Sequence, residues 1–254
     1  MQYQFAKEPP DYSDFASGRV FYGLPGHPAF PIRLADEILQ RCLARREADH
    51  GTGPYVLYDP CCGAAYHLSV LACLHWHSFR EVIGSDIDQK AVGVAQKNLG
   101  LLSIEGLDKR ITEISEMFRL YGKESHKEAL DSAHQLRDSI GTLSQEHPLK
   151  TRIFQANALD GEELREHLKS VAVDIAFADV PYGSHSHWHN PGSNPNVGNS
   201  LWQMLDALLG VLVPTGIVAI ASDKQQKASH EGYQRIEHFQ VGKRRVMLLK
   251  PASR

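Results

Sequence analysis

The sequence predicts an α/β fold built on a doubly wound, mostly parallel sheet. Three observations indicate this fold class. Short apolar segments rich in β-branched residues alternate with longer amphipathic segments, as strands alternate with helices in such sheets. Two of the apolar segments end in Asp just before a helical segment begins. The chain has 254 residues, of which 42% are apolar, and this size suits one domain with insertions. We therefore expect residues 1–254 to form a single domain.

The predicted elements follow in chain order. Four apolar segments are expected to be buried strands: Tyr55–Asp59, Val82–Asp86, Val173–Asp179 and Ile217–Ser222. Arg152–Asn157 is a fifth. Helical patterns flank or separate them: Ile32–Arg46, Ala65–His77, Asp88–Leu101 and Leu201–Leu212. Two strand-like runs between Arg235 and Lys250 surround Gly242, which predicts an antiparallel hairpin at one edge of the sheet.

Two regions stand apart from this alternation. Residues 1–50 hold an N-terminal extension followed by the first helix. Residues 104–147 are charged, with helical periodicity and Gly122 near the middle, so we expect a helical insertion of two helices joined by a turn. Residues 184–199 form a long polar segment rich in Gly, Pro and Asn, and loops of this kind are often functional.

Bulk properties limit the partners and the compartment. The formal net charge is −3, which counts against a wholly basic nucleic-acid-binding surface, although 14 histidines add positive charge when partly protonated. No apolar run approaches the roughly 20 residues that span a bilayer, and the start of the chain lacks a signal-peptide pattern. The four cysteines match neither a disulfide framework nor a zinc knuckle. We expect a reduced, cytoplasmic protein without a membrane partner, and a monomer.

The first predicted strand ends in Asp59 and continues as Pro60-Cys61-Cys62-Gly63 into a helix. A dinucleotide-binding turn would carry G-x-G-x-x-G at this place to hold a pyrophosphate. Here a single glycine, Gly63, is combined with an acid that repels phosphate and attracts a cation. S-adenosylmethionine has no phosphate and carries an ammonium and a sulfonium group, so the turn favours this cofactor. The alternative is a generic strand-to-helix turn with a capping Asp.

A second acid follows the next strand, in Ser85-Asp86-Ile87-Asp88. Asp86 comes 27 residues after Asp59, about one β-α-β unit. Its carboxylate can accept hydrogen bonds from both ribose hydroxyls of an adenosyl group, and we assign Asp86 and Ile87 to the cofactor site. Asp88 is expected to cap the following helix. Asn157-Ala158 can meet the adenine, although an Asn at this position is equally typical of a turn.

The segment Asp179-Val180-Pro181-Tyr182-Gly183 follows a predicted buried strand directly. It resembles the (Asp/Asn/Ser)-Pro-Pro-(Tyr/Phe) motif of methyltransferases that act on planar nitrogens. Such a nitrogen is a poor nucleophile, and a neighbouring carboxylate helps by accepting its proton and by orienting it. We therefore predict Asp179 as proton acceptor and part of the cofactor site, Tyr182 as a stacking partner of the base, and Pro181 as the residue that stiffens the loop.

Several segments together resemble the avilamycin-resistance ribosomal RNA methyltransferase family, over about Phe21 to the C-terminus. They are residues 25–35 (PGHPAFPIRLA), residues 59–63, 85–88, 97–103 and 179–183, and His187-Trp188. The resemblance implies a seven-stranded Rossmann-like sheet with a helical insertion. It also implies S-adenosylmethionine as methyl donor, guanine N1 of large-subunit ribosomal RNA as acceptor, and resistance to a ribosome-targeting antibiotic.

Contacts to RNA are predicted at two places. His187 and Trp188, in the polar loop, can stack on and hydrogen-bond to RNA. Three alternating histidines in this loop, at 185, 187 and 189, could instead bind zinc, but no Cys or carboxylate is close in sequence and we expect no metal. Lys243, Arg244 and Arg245 form the second place, with a solvated hairpin turn as the alternative. Arg41, Arg45 and Arg46 share one helix face, which fits a phosphate contact or a solvated surface.

Other functions remain open at this point. The motif around Asp179 does not separate guanine N1 from an amino nitrogen, so guanine N2, adenine N6 and protein glutamine are alternative acceptors. The glutamine methyltransferases normally have Asn where this chain has Asp179. A non-catalytic RNA-binding scaffold with a degenerate Rossmann sheet is a further alternative, and the presence of all three strand-end acids counts against it.

Overall fold

A computed structural model describes residues 3–8, 11–26, 28–180, 200–223, 226 and 228–252. Pro181, Tyr182, His187 and Trp188, to which the sequence assigns roles, lie outside the described residues. The strands are β1 (Tyr55–Asp59), β2 (Phe79–Asp86), β3 (Lys150–Gln155), β4 (Val173–Asp179), β5 (Leu212–Asp223), β6 (Tyr233–Val241) and β7 (Arg244–Pro251).

These strands form one seven-stranded sheet in the order β3-β2-β1-β4-β5-β7-β6. Strands β1 to β5 are parallel. The C-terminal hairpin adds β7 antiparallel to β5, with β6 at the edge. The predicted fold class, the parallel strands and the hairpin are therefore confirmed. The strand order reverses between β1 and β4, and in open sheets of this kind ligands bind at such a reversal, outside the carboxyl ends of the strands.

Helices cover both faces of the sheet. They are α1 (Ile32–Ala48), α2 (Tyr66–Leu74), α3 (Gln89–Gly100), α4 (Ile104–Tyr121), α5 (Glu124–Glu146), α6 (Gly161–Leu168) and α7 (Ser200–Leu209). Along β4, Ile175 and Phe177 pack into the core that also holds side chains of α1 to α5, whereas Ala176 and Ala178 pack into the core with α6 and α7. Because side chains alternate along a strand, Asp179 lies on the same face as Phe177.

The predicted helical insertion is present as the antiparallel pair α4 and α5. Ser103 caps α4 by accepting a hydrogen bond from the Gly106 N–H at 3.1 Å. The Gly122 backbone has φ +60°, and its N–H donates to the Phe118 carbonyl at 2.8 Å, which ends α4. A left-handed residue at this position is a common helix terminator, and glycine adopts it without steric cost.

Some boundaries differ from prediction. Strand β3 ends at Gln155, so Asn157 lies beyond it, and Leu212 begins β5 and does not end the preceding helix. Helix α6 was not predicted. The Asp160 side chain caps it by accepting from the N–H groups of residues 162 and 163. Within the part of the chain that is described, no helix is both long and apolar enough to cross a bilayer.

The arginines of α1 correct another expectation. Arg41 and Arg46 are each only 5% exposed, so neither is solvated nor free for phosphate, whereas Arg45 is half exposed and lies 3.1 Å from Glu237. Arg46 Nη2 lies 2.9 Å from Asp174 Oδ1, and Arg41 pairs with Glu37 on its own helix and with Glu237 on β6. These buried ion pairs attach α1 to β4 and to the C-terminal hairpin.

Candidate active site

Three carboxylates lie at the carboxyl ends of three neighbouring strands. Asp59 ends β1, Asp86 ends β2 and Asp179 ends β4, and β1 lies between the other two. The structure thus brings together the three acids that the sequence assigns to one site. They lie at the reversal of the strand order, where the fold leaves room for a ligand.

The turn between β1 and α2 is held by hydrogen bonds to β2. The Cys62 N–H donates to the Ser85 carbonyl at 2.9 Å, and the Gly63 N–H donates to Asp86 Oδ2 at 2.9 Å. Gly63 has φ +54°, and apart from its chain neighbours no atom of the described residues lies within 4 Å of the position that a Cβ would take. The backbone at Gly63 is therefore open on the side where a ligand can approach.

Next to Gly63 the turn is apolar and strained. Ala65 precedes α2 with φ +52°, a left-handed conformation that costs a residue other than glycine about 1–2 kcal/mol. Burial raises the pKa of the Cys61 and Cys62 thiols well above the usual range, so both remain neutral. The turn therefore adds no charge to the three carboxylates around it.

Asp86 accepts hydrogen bonds from the backbone segments that precede α2 and α3. Besides binding Gly63, it accepts a hydrogen bond from the Asp88 N–H at 2.9 Å through Oδ1. Asp88 in turn caps α3 by accepting from the Lys90 N–H at 2.9 Å, as predicted. Burial raises the pKa of Asp86, and the two backbone hydrogen bonds partly offset the rise. Ile87 beside it is 37% exposed, an apolar side chain available to pack on a planar ring.

A histidine that the sequence analysis missed lies between two of the acids. His67, in the first turn of α2, is 6% exposed. Its Nε2 lies 3.0 Å from Asp59 Oδ2, within ion-pair distance but off the line of a hydrogen bond, so among the described residues neither atom has a hydrogen-bond partner. Its ring packs against Phe30 at 5.5 Å and Phe177 at 5.1 Å. Asp59 Oδ1 accepts the Cys61 N–H at 2.9 Å.

Asp179 is the least compensated of the three acids. Burial raises its pKa to about 6; the charges of His67 and Arg244 act to lower it, and that of Asp59 adds to the rise. Its Oδ1 is buried and has no hydrogen-bond partner among the described residues. An isolated carboxyl with a pKa near neutrality is suited to accept a proton at physiological pH.

The predicted basic cluster at the C-terminal hairpin is divided between two places. Arg244 begins β7, where its guanidinium lies 5.0 Å from the centre of the Phe30 ring and its charge acts on Asp179. Lys243 lies in the exposed turn, and Arg245 is the next residue along β7, so its side chain points to the opposite face of the strand. Arg244 is therefore beside the acids, and an RNA contact by this cluster stays a prediction.

Asn157 has the geometry of a turn residue. Its Oδ1 accepts the Leu159 N–H at 3.0 Å, and its own N–H donates to Glu163 Oε2 at 3.0 Å. Ala158 is 6% exposed and packs in the core. The Asn157 side-chain oxygen is therefore used within a turn, which was the alternative considered from the sequence. A contact of Asn157 and Ala158 with adenine stays a prediction.

The N-terminal extension reaches this site, which the sequence did not predict. The Tyr22 N–H donates to Asn98 Oδ1 at 2.7 Å, and Asn98 Nδ2 donates to the Ala64 carbonyl at 2.8 Å. The Tyr66 hydroxyl donates to the Phe15 carbonyl at 2.6 Å. Together with Phe30 beside His67, these contacts place the extension across the turn between β1 and α2.

In the described ranges, no three His, Cys, Asp or Glu side chains are grouped to hold a metal, and the three loop histidines lie outside those ranges.

Comparison with known proteins identifies the family. Residues 1–244 match the family model described as rRNA methyltransferase AviRa. The chain belongs to the AviRa family of rRNA methyltransferases. The resemblance predicted from the sequence motifs is thereby confirmed.

Two relatives place the chain within the AviRa family and one shows the fold more widely. The 23S rRNA (guanine(2535)-N(1))-methyltransferase of Streptomyces viridochromogenes is 38% identical over 251 residues, covering 99% of this chain and 96% of its own. The solved structure of the rRNA methyltransferase AviRa from the same organism has a TM-score of 0.86 at 37% identity, covering 98% and 96%. TrmN from Thermus thermophilus, at 17% identity and a TM-score of 0.51, covers 89% of this chain and 50% of its own and shows the fold alone.

We expect Asp179→Asn to stabilise the fold in a pH-dependent way. The folded pKa of about 6 is above the ordinary 3.8, so ionising Asp179 costs stability above pH 6 and this cost disappears as the pH falls towards 4. The variant should therefore gain about 1–3 kcal/mol in the free energy of unfolding at pH 8 and nothing near pH 4. Urea denaturation across this range measures the gain.

Asp108→Asn is a matched control for this experiment. The Arg137 ion pair lowers the pKa of the exposed Asp108, so removal of this carboxylate should give no gain at high pH. An Asp179→Asn stability difference that is the same at pH 8 and pH 4 would contradict the assignment of a buried, poorly compensated carboxylate.

Proposed function

We propose that this chain transfers a methyl group from S-adenosylmethionine to N1 of a guanine in large-subunit ribosomal RNA, and that this gives resistance to an antibiotic that binds the ribosome. One observation carries the proposal: in a chain of the AviRa family, Asp179 combines burial, a pKa of about 6 and an Oδ1 without a hydrogen-bond partner among the described residues. The Streptomyces relative is named for the same atom of guanine.

The residues present fit S-adenosylmethionine. Two buried carboxylate oxygens, Asp59 Oδ2 and Asp179 Oδ1, have no hydrogen-bond partner within the described ranges, and unpartnered acceptors of this kind suit the cationic end of the cofactor. Asp86 keeps lone pairs for the ribose hydroxyls while it binds two backbone N–H groups. Ile87 presents an exposed apolar side chain for the adenine ring. When bound, the cofactor supplies an electrophilic methyl group.

Guanine N1 carries a proton at neutral pH, so its methylation needs a base. With a pKa of about 6, Asp179 is mostly ionised above pH 7 yet remains basic enough to accept a proton. The N1 proton would pass to the Asp179 carboxylate and leave a lone pair on N1; the bound donor would supply the methyl group and leave as S-adenosylhomocysteine. Tyr182 is our candidate for holding the base, Pro181 for stiffening the loop, and His187 and Trp188 for further RNA contacts.

Amino nitrogens are weaker candidates for the acceptor. Guanine N2, adenine N6 and protein glutamine need an acceptor that orients the N–H groups but not full deprotonation, so they do not require a tuned pKa. The raised pKa of Asp179 therefore favours guanine N1. A non-catalytic scaffold would have no use for three neighbouring acids, one buried and two partly buried, whose desolvation is costly to the fold.

We expect Asp86→Ala to weaken S-adenosylmethionine binding by about 1–3 kcal/mol, the range for lost charge-assisted hydrogen bonds. Calorimetry with the purified chain measures the affinity. Because Asp86 also holds the Gly63 N–H, Asp86→Asn should retain part of the binding. Asp88→Asn is the matched control, since it removes a carboxylate two residues away and keeps a capping side chain. Unchanged affinity in Asp86→Ala would contradict its place at the cofactor.

We expect Asp179→Asn to slow methyl transfer to the RNA by about 10²–10⁴-fold, the usual contribution of a positioned general base. Single-turnover transfer of labelled methyl at saturating cofactor measures the rate, and mass mapping of the RNA identifies the modified atom. Tyr182→Ala should instead raise the half-saturating RNA concentration as well, because it removes stacking. Wild-type rate and pH dependence in Asp179→Asn would show that the base is another group.

We expect His67→Asn to move the acidic limb of the pH–rate profile to higher pH. The groups that act on Asp179 are His67, Arg244 and Asp59; the first two lower its pKa, so loss of His67 raises it. The rate should therefore fall severalfold more at pH 6.5 than at pH 8.5. His75→Asn is the matched control. His75 lies at the other end of α2, where its Nε2 is 2.6 Å from Asp36 of α1. Equal losses at both pH values would assign His67 a structural role only.

A further inference from the structure

Two exposed apolar side chains lie next to each other where α4 meets α5. Leu120 is 64% exposed and Tyr121 is 65% exposed, whereas the other exposed large apolar side chains among the described residues, Phe5 and Ile87, are each 37% exposed. We call residues 119–123 the hairpin tip. Together these two side chains form a small apolar patch at the end of the helix pair.

The hairpin tip is the end of a rigid pair of helices. Helices α4 and α5 have 18 and 23 residues and pack together through buried side chains: Leu107, Ile114, Ala133, Leu136 and Ile140. Gly122 closes the turn between them. The Tyr121 ring meets His126 of α5 edge-on, with 6.0 Å between the ring centres.

The hairpin tip lies on the side of the sheet that holds the active site. At the far end of α5, the His147 carbonyl accepts from Trp76 Nε1, and its ring Nε2 lies 2.8 Å from the carbonyl of Phe79, the first residue of β2. Helix α5 therefore ends near the amino edge of the sheet. Its 23 residues span about 35 Å, whereas the six residues of β3 span about 20 Å.

Contacts along the hairpin agree with this direction. Ser132 of α5 donates to Asp14 Oδ1 at 2.6 Å, and the adjacent Phe15 carbonyl accepts from Tyr66, which begins α2 at the carboxyl edge. Glu124, at the start of α5, lies eight residues further along, or about 12 Å. The hairpin tip thus projects past the turn between β1 and α2.

The charge of the hairpin tip suits a polyanion. Arg119 and Lys123 flank the two apolar residues, no acid occurs in residues 119–123, and neither cation forms an ion pair within the described ranges. The nearest acid in sequence, Glu124, pairs with Lys127 at 3.3 Å. Glu116 lies one helical turn before Arg119, so the local excess of positive charge is confined to residues 119–123.

We propose that the hairpin tip is a docking arm for a loop of the ribosomal RNA substrate, in which Tyr121 stacks on an unpaired base while Arg119 and Lys123 contact the neighbouring phosphates. The proposal rests on the proposed function. Exposed aromatics flanked by cations bind splayed bases of RNA loops, whose faces are accessible, and not paired bases inside a helix. Two apolar side chains are too small an area for a stable contact with a second copy, which needs roughly 800 Å² from each partner.

The test compares RNA saturation among variants of the full chain. With a large-subunit rRNA transcript and saturating cofactor, Tyr121→Ala should raise the half-saturating RNA concentration by about 5- to 100-fold, the effect of one stacked base, and leave the maximal rate unchanged. Tyr121→Phe should restore wild-type behaviour, because it keeps the ring. Arg119→Ala with Lys123→Ala should reduce the salt dependence of RNA binding. Phe5→Ala is the matched control, an exposed aromatic away from the tip.

Cofactor affinity and thermal stability should be unchanged in all these variants. If Tyr121→Ala saturates at the wild-type RNA concentration while the wild type methylates the RNA, the docking arm is refuted and the proposed function stands. If the wild type transfers no methyl group, the proposed function fails, and fluorescence anisotropy of the same RNA still tests whether Tyr121 contributes to binding. A wild-type dimer in sedimentation that Tyr121→Ala disrupts would replace RNA by a second copy and overturn the proposal.

Discussion

Three carboxylates at the ends of β2, β1 and β4, of which Asp59 is buried and Asp86 and Asp179 are partly buried, are the constraint that the surrounding structure satisfies. Carboxylates at one edge of the sheet repel each other and lose their hydration, so each needs hydrogen bonds or opposite charges nearby. Asp86 receives two backbone N–H groups, and Asp59 receives the Cys61 N–H and the neighbouring His67. Asp179 receives only the more distant charges, and its pKa rises to about 6 in consequence. This difference in compensation underlies the two roles that we propose, Asp86 as a cofactor-binding acid and Asp179 as the base.

The N-terminal extension and the helical insertion stabilise this edge of the sheet. Asn98 of α3 accepts from the Tyr22 N–H and donates to the Ala64 carbonyl, so one buried amide links the N-terminal extension to the turn between β1 and α2. Arg110 of α4 donates to the Val20 carbonyl, which joins the helical insertion to the same extension. Extension and insertion therefore form a continuous support for a turn that is strained at Ala65.

Much of the fold followed from the sequence because parallel strands bury apolar runs and end at one edge. Asp59, Asp86 and Asp179 were placed together on that basis. His67 was missed because helix periodicity alone does not show which buried polar side chain meets a carboxylate from another element. The same limit applies to Arg41 and Arg46, whose acidic partners on β6 and β4 are remote in sequence. Helix α6 was missed because only Leu164 and Leu168 mark its buried face.

The pKa of Asp179 connects cofactor binding to the chemistry we propose. Without a ligand, burial and Asp59 raise it and His67 and Arg244 lower it, so near pH 6 the carboxyl is about half ionised. A cation bound among the acids would lower this pKa further, since an opposite charge nearby favours the ionised form. At neutral pH Asp179 is already mostly ionised without a ligand, so this effect would be largest near pH 6. There, binding of the methyl donor would convert protonated Asp179 to the carboxylate, so the base would form in the state that can use it.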